Sequence, residues 1–107
     1  MISVDVKRKD GIIEELTIKG HAMFDTYGKD IVCAGVSSSL ITTINAIISF
    51  DENAISYKEN VFELENLKKD NITNKLLENL VEVLKETQKQ YGKNIKVKEE
   101  NLWRKCF

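Results

Sequence analysis

Between Asp30 and Asp51 the chain runs through twenty residues, Ile31 to Phe50, without one charged side chain. Within that run Val36, Leu40, Ile44 and Ile47 recur at spacings of four, four and three, and Ile41 and Ile48 widen the stripe. That is the period of a helix with an apolar face. Val, Ile and Thr form helices weakly, so the segment predicts a helix held in place by burial on most of its sides. Ser, Thr, Asn and Gly interrupt its apolarity, which favours a core helix over a membrane span. Such a helix needs other layers to cover it.

The flanking segments supply them. Ile2, Val4 and Val6 alternate with polar residues, as in a half-buried strand. Asp10-Gly11 is a strong hairpin turn, since both residues tolerate positive φ, and Ile12, Leu16 and Ile18 continue one face of the returning strand. Gly20 to Lys29 has little periodicity and reads as a surface loop. Ile55 and Tyr57, a turn over Lys58 to Asn60, then Phe62 and Leu64 predict a second hairpin. Asp70-Asn71 is a plausible N-cap for a helix whose face is Leu76, Leu77, Leu80, Val83, Leu84 and Tyr91, with Gly92 as its stop. Ile95 and Val97 suggest a last short strand. The expected fold is α+β: a two-layer sandwich in one domain over 1–107. An antiparallel sheet from two hairpins and a C-terminal strand is covered by two helices.

Net charge is −1, with 16 basic and 17 acidic residues mixed along the chain. The strongest basic cluster is Lys7-Arg8-Lys9, which reads as a solvated strand end, so neither a nucleic-acid nor a membrane partner is expected. Met1 to Val6 lacks the basic start and apolar run of a signal peptide. Two cysteines 73 positions apart make no disulfide framework, and reduced thiols favour a cytoplasmic setting.

The chain holds one histidine, His21, in the loop that leads to Cys33. A free thiol is mostly protonated at neutral pH, and two features lower its pKa: an imidazolium close by, and the free N–H groups and dipole of a helix start. Cys33 falls where the helix should begin, so nucleophile, base and oxyanion donors (the N–H groups near Cys33 and Ala34) can all come from residues 20 to 37. Asp30 is either a third member orienting the imidazole or a helix cap. Ser37, four residues after Cys33, falls on the same helical face. Gly28 and Gly35 read as backbone devices, for mobility in the loop and for close approach at the helix. The competing readings are Cys33 as core packing and His21 as a surface histidine. Three Cys and His residues are too few for structural zinc, so no metal or other cofactor is expected, and Cys106 has no partner in sequence.

Gly20-His21-Ala22, then Gly28-Lys29-Asp30-Ile31-Val32-Cys33-Ala34-Gly35-Val36-Ser37, with twelve residues from His21 to Cys33, closely resembles the signature of the bacterial ribosomal-processing cysteine protease Prp family. The likeness extends through Asn45-Ala46-Ile47-Ile48. The resemblance implies a cytoplasmic homodimer that removes an N-terminal extension from the precursor of large-subunit ribosomal protein 27, cutting after a pair of phenylalanines. It implies Cys33 as nucleophile and His21 as general base and acid, with Asp30, Ser37 and Ala34 in support. Met23 to Lys29 would be a mobile cover, in which Met23, Phe24, Tyr27 and Gly28 meet the substrate. A non-enzymatic module that binds a ribosomal or assembly partner would have the same fold with an unreactive Cys33. A thiol redox protein is disfavoured by the lack of a second nearby cysteine.

Overall fold

A computed structural model describes residues 1–21, 30–58 and 62–102. The elements, in chain order, are β1 (Ile2–Lys9), β2 (Ile12–Lys19), α1 (Ile31–Phe50), β3 (Ile55–Lys58), β4 (Phe62–Asn66), α2 (Asn71–Gln90) and β5 (Ile95–Asn101). The five strands form one sheet in the order β3-β4-β2-β1-β5.

The first hairpin closes as expected. Lys9 pairs with Ile12, leaving Asp10 and Gly11 as a two-residue loop with φ of 52° and 78°. The register then slips between Lys7 and Arg8, so that Lys7 faces Glu15 while Arg8 faces Ile13. This bulge reverses the inward alternation at the start of β2. Ile13, Leu16 and Ile18 are therefore the buried set, and Ile12 is only half-buried.

The sheet is mixed rather than wholly antiparallel. β2 pairs antiparallel with both β1 and β4, so β4 runs parallel to β1. The crossover through α2 brings the chain back in the direction of β4, and β5 adds beside β1 in parallel. With seven residues, it is longer than the short strand expected from Ile95 and Val97.

The fully buried side chains, among them Val4, Val6, Leu16, Leu64, Leu77, Leu80 and Leu84, form one core. The opposite face carries charges of both signs, with Asp5 beside Lys98 and Lys7 beside Glu15 and Glu100. On α2, Val81 is buried and Val83 is turned outward. α1 packs against α2, and its buried side chains are Val32, Val36, Leu40, Thr43, Ile44 and Ile47. Its outer side is exposed, so it is half covered rather than buried on most sides. By length and composition it could cross a membrane, but here it is one layer of the sandwich.

The bulge is held by two asparagines. Asn74 Oδ1 accepts from the Ile13 N–H at 3.0 Å, and Asn66 Nδ2 donates to the Ile13 carbonyl at 2.9 Å. Asn66 is buried, and its Oδ1 also accepts from the Lys69 N–H at 2.9 Å, where φ is 56°. Asn66→Ala is expected to cost about 1–3 kcal/mol, because both backbone partners lose a bond in or near the core. The midpoint of urea unfolding measures it.

Arg8 is not a solvated strand end. The bulge turns it towards α2, where its guanidinium donates to Glu78 at 2.5 and 2.7 Å and to Glu99 at 2.8 and 3.2 Å. Lys85 adds an ion pair to Glu99 at 2.8 Å. Hydrogen bonds from Lys85 and then Arg8 hold the Glu99 carboxyl below its ordinary value, and Lys68 and the Asn53 amide do the same for Asp51. In both cases the unfolded chain takes up the proton first. Their contribution is present above the ordinary carboxylate range and is lost as pH falls through the lower, folded values. Urea midpoints measured downwards from neutral pH should fall below about pH 4.5, the ordinary value for Glu99. Glu99→Gln should flatten that fall.

Candidate active site

The first hairpin delivers the histidine. Gly20 follows β2 with φ of 88°, and a Cβ built there would lie 2.3 Å from the carbonyl oxygen of Met1. Only glycine fits this crossing of β2 against the start of β1. His21 follows it directly and is exposed.

The cysteine comes from the first turn of α1. Asp30 is the N-cap, its Oδ1 accepting from the N–H groups of Val32 and Cys33, both at 3.0 Å. Its carbonyl accepts from the Ala34 N–H at 3.0 Å. Asp30 is thus the helix cap. The amides of Cys33 and Ala34, expected as oxyanion donors, are already bonded, because the cap satisfies the helix start from within. The cap's negative charge also offsets the positive end of the helix dipole beside Cys33.

Cys33 is half-buried against the core and still reaches the surface. With His21 and Ser37 it borders one groove of about 1110 Å³ between α1 and the sheet. Ala34 is exposed outside that lining. Gly35 does not serve a close approach, since a Cβ added there meets no atom within 4 Å among the described residues. Met23, Phe24, Tyr27 and Gly28 lie outside the described residues, as does Cys106. Among the described residues no group of three or more His, Cys, Asp and Glu is placed to hold a metal.

Sequence reasoning missed the far wall of the groove, formed by Tyr57 of β3 and Phe62 of β4. Phe62 pairs with Ile18 of β2, the strand that leads to His21, and Tyr57 pairs with Leu64 one strand further out. Their alternation with Ile55 and Leu64 was visible, but their neighbours across the sheet were not.

The family model described as cysteine protease Prp matches residues 1–96. The chain belongs to the Prp cysteine protease family. The ribosomal processing cysteine protease Prp of Staphylococcus aureus is 33% identical over 103 residues, covering 91% of this chain and 97% of the relative. The Prp of Bacillus subtilis is 39% identical over 49 residues, covering 45% and 44%. The S. aureus essential ribosomal processing protease Prp, solved with a covalently linked product peptide, superposes with a TM-score of 0.84 at 31% identity, covering 94% of this chain and all of that one. A Streptococcus mutans structure at 23% identity and a TM-score of 0.81 shares the fold. Membership in Prp makes the chain a cysteine protease, which displaces the reading of the chain as a non-enzymatic binding module.

Proposed function

We propose that this single-domain protease removes the N-terminal extension of the large-subunit ribosomal protein 27 precursor in the cytoplasm, with Cys33 as nucleophile and His21 as its base. The observation that carries the reading is the shared groove, where the half-buried thiol and the chain's one imidazole border the same peptide-sized cleft. The similar S. aureus protein, a ribosomal processing protease solved with a substrate peptide, supports the choice of substrate.

His21 takes the Sγ proton and the thiolate attacks the scissile carbonyl, giving a tetrahedral oxyanion. The oxyanion collapses, the C–N bond breaks, and the imidazolium passes its proton to the leaving amine. Water, deprotonated by His21, then cleaves the thioester and regenerates the thiol. Activation of Cys33 rests on His21, since Asp30 blunts the helix dipole. Asp30 positions Cys33 by holding its amide. Ser37, exposed on the groove one turn along α1, is a hydroxyl that can donate to the oxyanion. Met23, Phe24, Tyr27 and Gly28 would meet the bound substrate, as the likeness to the Prp family implies. A homodimer is supported by the exposed side of α1, which carries no charged residue and leaves Phe50 open to solvent.

A peptide with Phe-Phe before a small residue should be cut once, after the second phenylalanine. Cys33 should alkylate well below pH 8, and His21→Ala should move its rate profile towards that of a free thiol. Slow labelling with the profile of a free thiol in the unaltered protein, with no cleavage, would overturn the reading.

A further inference from the structure

The fold redistributes the positive charge of the chain. In the basic run Lys7-Arg8-Lys9, Lys7 is paired with Glu15, and Arg8 with Glu78 and Glu99. Lys68, Lys69, Lys85 and Lys89 also have carboxylate partners. Lys19, Lys93 and Lys96 are exposed and form no ion pair among the described residues.

These three lysines are far apart in sequence and meet at one end of the sheet. Ser3 of β1 is matched to Lys19 of β2 on one side and to Lys96 of β5 on the other. Both side chains leave the uncovered face from one row, two strand spacings or roughly 10 Å apart. Lys93 lies in the turn before β5, beside Asn94, whose carbonyl accepts from the Ile2 N–H at 2.8 Å. The next row of that face is balanced, with Lys58 beside Glu63 and Asp5 beside Lys98. The row beyond it is acidic, with Glu15 opposite Glu65 and Glu100 beside Lys7. The uncovered face is thus graded, positive next to His21 and negative towards the Asp10-Gly11 turn.

A row of phosphates complements the positive end. Its ammonium groups have no carboxylate to give up among the described residues, and a rigid sheet holds them in place. We propose that the end of the sheet bearing Lys19, Lys93 and Lys96 is a docking surface for the phosphate backbone of RNA. It reverses the expectation from sequence, where these lysines form no cluster. The choice of RNA over an acidic protein rests on the ribosomal-protein reading above, since such a substrate is met in the company of RNA. The contacts are to phosphate and carry no base preference.

The test follows a fluorescently labelled single-stranded RNA on the full chain by anisotropy. Three lysine–phosphate contacts make binding weaken about twentyfold between about 50 and 200 mM salt. Lys19→Gln with Lys96→Gln leaves one contact, so the same salt step should cost only about threefold. Affinity of that double variant at the lower salt should fall by more than about tenfold. Lys9→Gln removes an exposed charge at the opposite end of β1 and should change neither value. No binding at the lower salt, an unchanged salt response in the double variant, or an equal loss in Lys9→Gln would overturn the surface. A poly-glutamate peptide that displaces the RNA at equal charge would overturn RNA as the partner in favour of an acidic protein. The same preparation is assayed on the Phe-Phe peptide. Cleavage without RNA binding sinks the surface alone, whereas RNA binding without cleavage supports the surface and sinks the Cys33–His21 reading.

Discussion

Cys33→Ala is expected to reduce peptide cleavage to background, a loss on the order of 10⁶-fold, while leaving the fold and peptide binding in place. Cys33 is only half-buried, and Asp30 accepts from its backbone amide, which alanine keeps. The helix start should therefore survive the change, which circular dichroism and a urea midpoint will check. His21→Ala should lose nearly as much, because a thiol without its base is a poor nucleophile at neutral pH. Nucleophile and base act as one unit, so the double variant should be no slower than Cys33→Ala alone. Additive losses would mean that His21 acts on substrate binding instead, and a fully active His21→Ala would remove it from the mechanism. The measurement is single-turnover cleavage of the Phe-Phe peptide, followed by mass spectrometry.

The second large effect is expected at Gly20, from the backbone rather than from chemistry. Alanine there must adopt a φ near 88° and place its Cβ 2.3 Å from the Met1 carbonyl oxygen. The left-handed conformation alone costs about 1–3 kcal/mol, and the clash with backbone adds to it, since no side chain can move aside. Gly20→Ala should therefore lower stability by more than about 2 kcal/mol. It should also cut kcat/KM by about a hundredfold in the molecules that remain folded, as His21 is displaced. Gly35→Ala is the control. It sits inside α1, where an added Cβ meets no atom within 4 Å among the described residues, so alanine should stabilise the helix by about 0.5–1 kcal/mol. If the two alanines behaved alike, the crossing of Gly20 over Met1 would not be what fixes the histidine.

The parts of this fold that were legible in the sequence are those decided by neighbours along the chain. Asp10-Gly11 specifies its turn by φ alone, and α1 begins and ends at Asp30 and Asp51, as its charge-free run implied. The features that escaped depend on contacts between distant residues. Nothing near Ile13 announces that Glu14 will be the extra residue of a bulge, or that Asn66 and Asn74 will bond the backbone there. Arg8 looked like one of three surface cations because Glu78 and Glu99 are 70 and 91 residues away. At the site, the motif brought His21, Cys33 and Ser37 to one groove, as their spacing suggested. It also made Cys33 and Ala34 look like oxyanion donors. Asp30 has one side chain to use, and as a cap it takes up the amides that the sequence left open.

The parallel pairing of β1 with β5 sets when this enzyme can become whole. Ile2 is matched to Ile95 and Arg8 to Asn101, so β1 is completed by a strand that follows far along the chain. Pairing across nearly the whole chain is slow, because its closure entropy comes before its contacts form. During synthesis, His21 and Cys33 emerge long before β5, yet Ile2 in the groove's lining and the Met1 carbonyl that fits Gly20 both belong to an N-terminal segment still without its outer neighbour. The cleft is thus assembled late, only once β5 has left the ribosome.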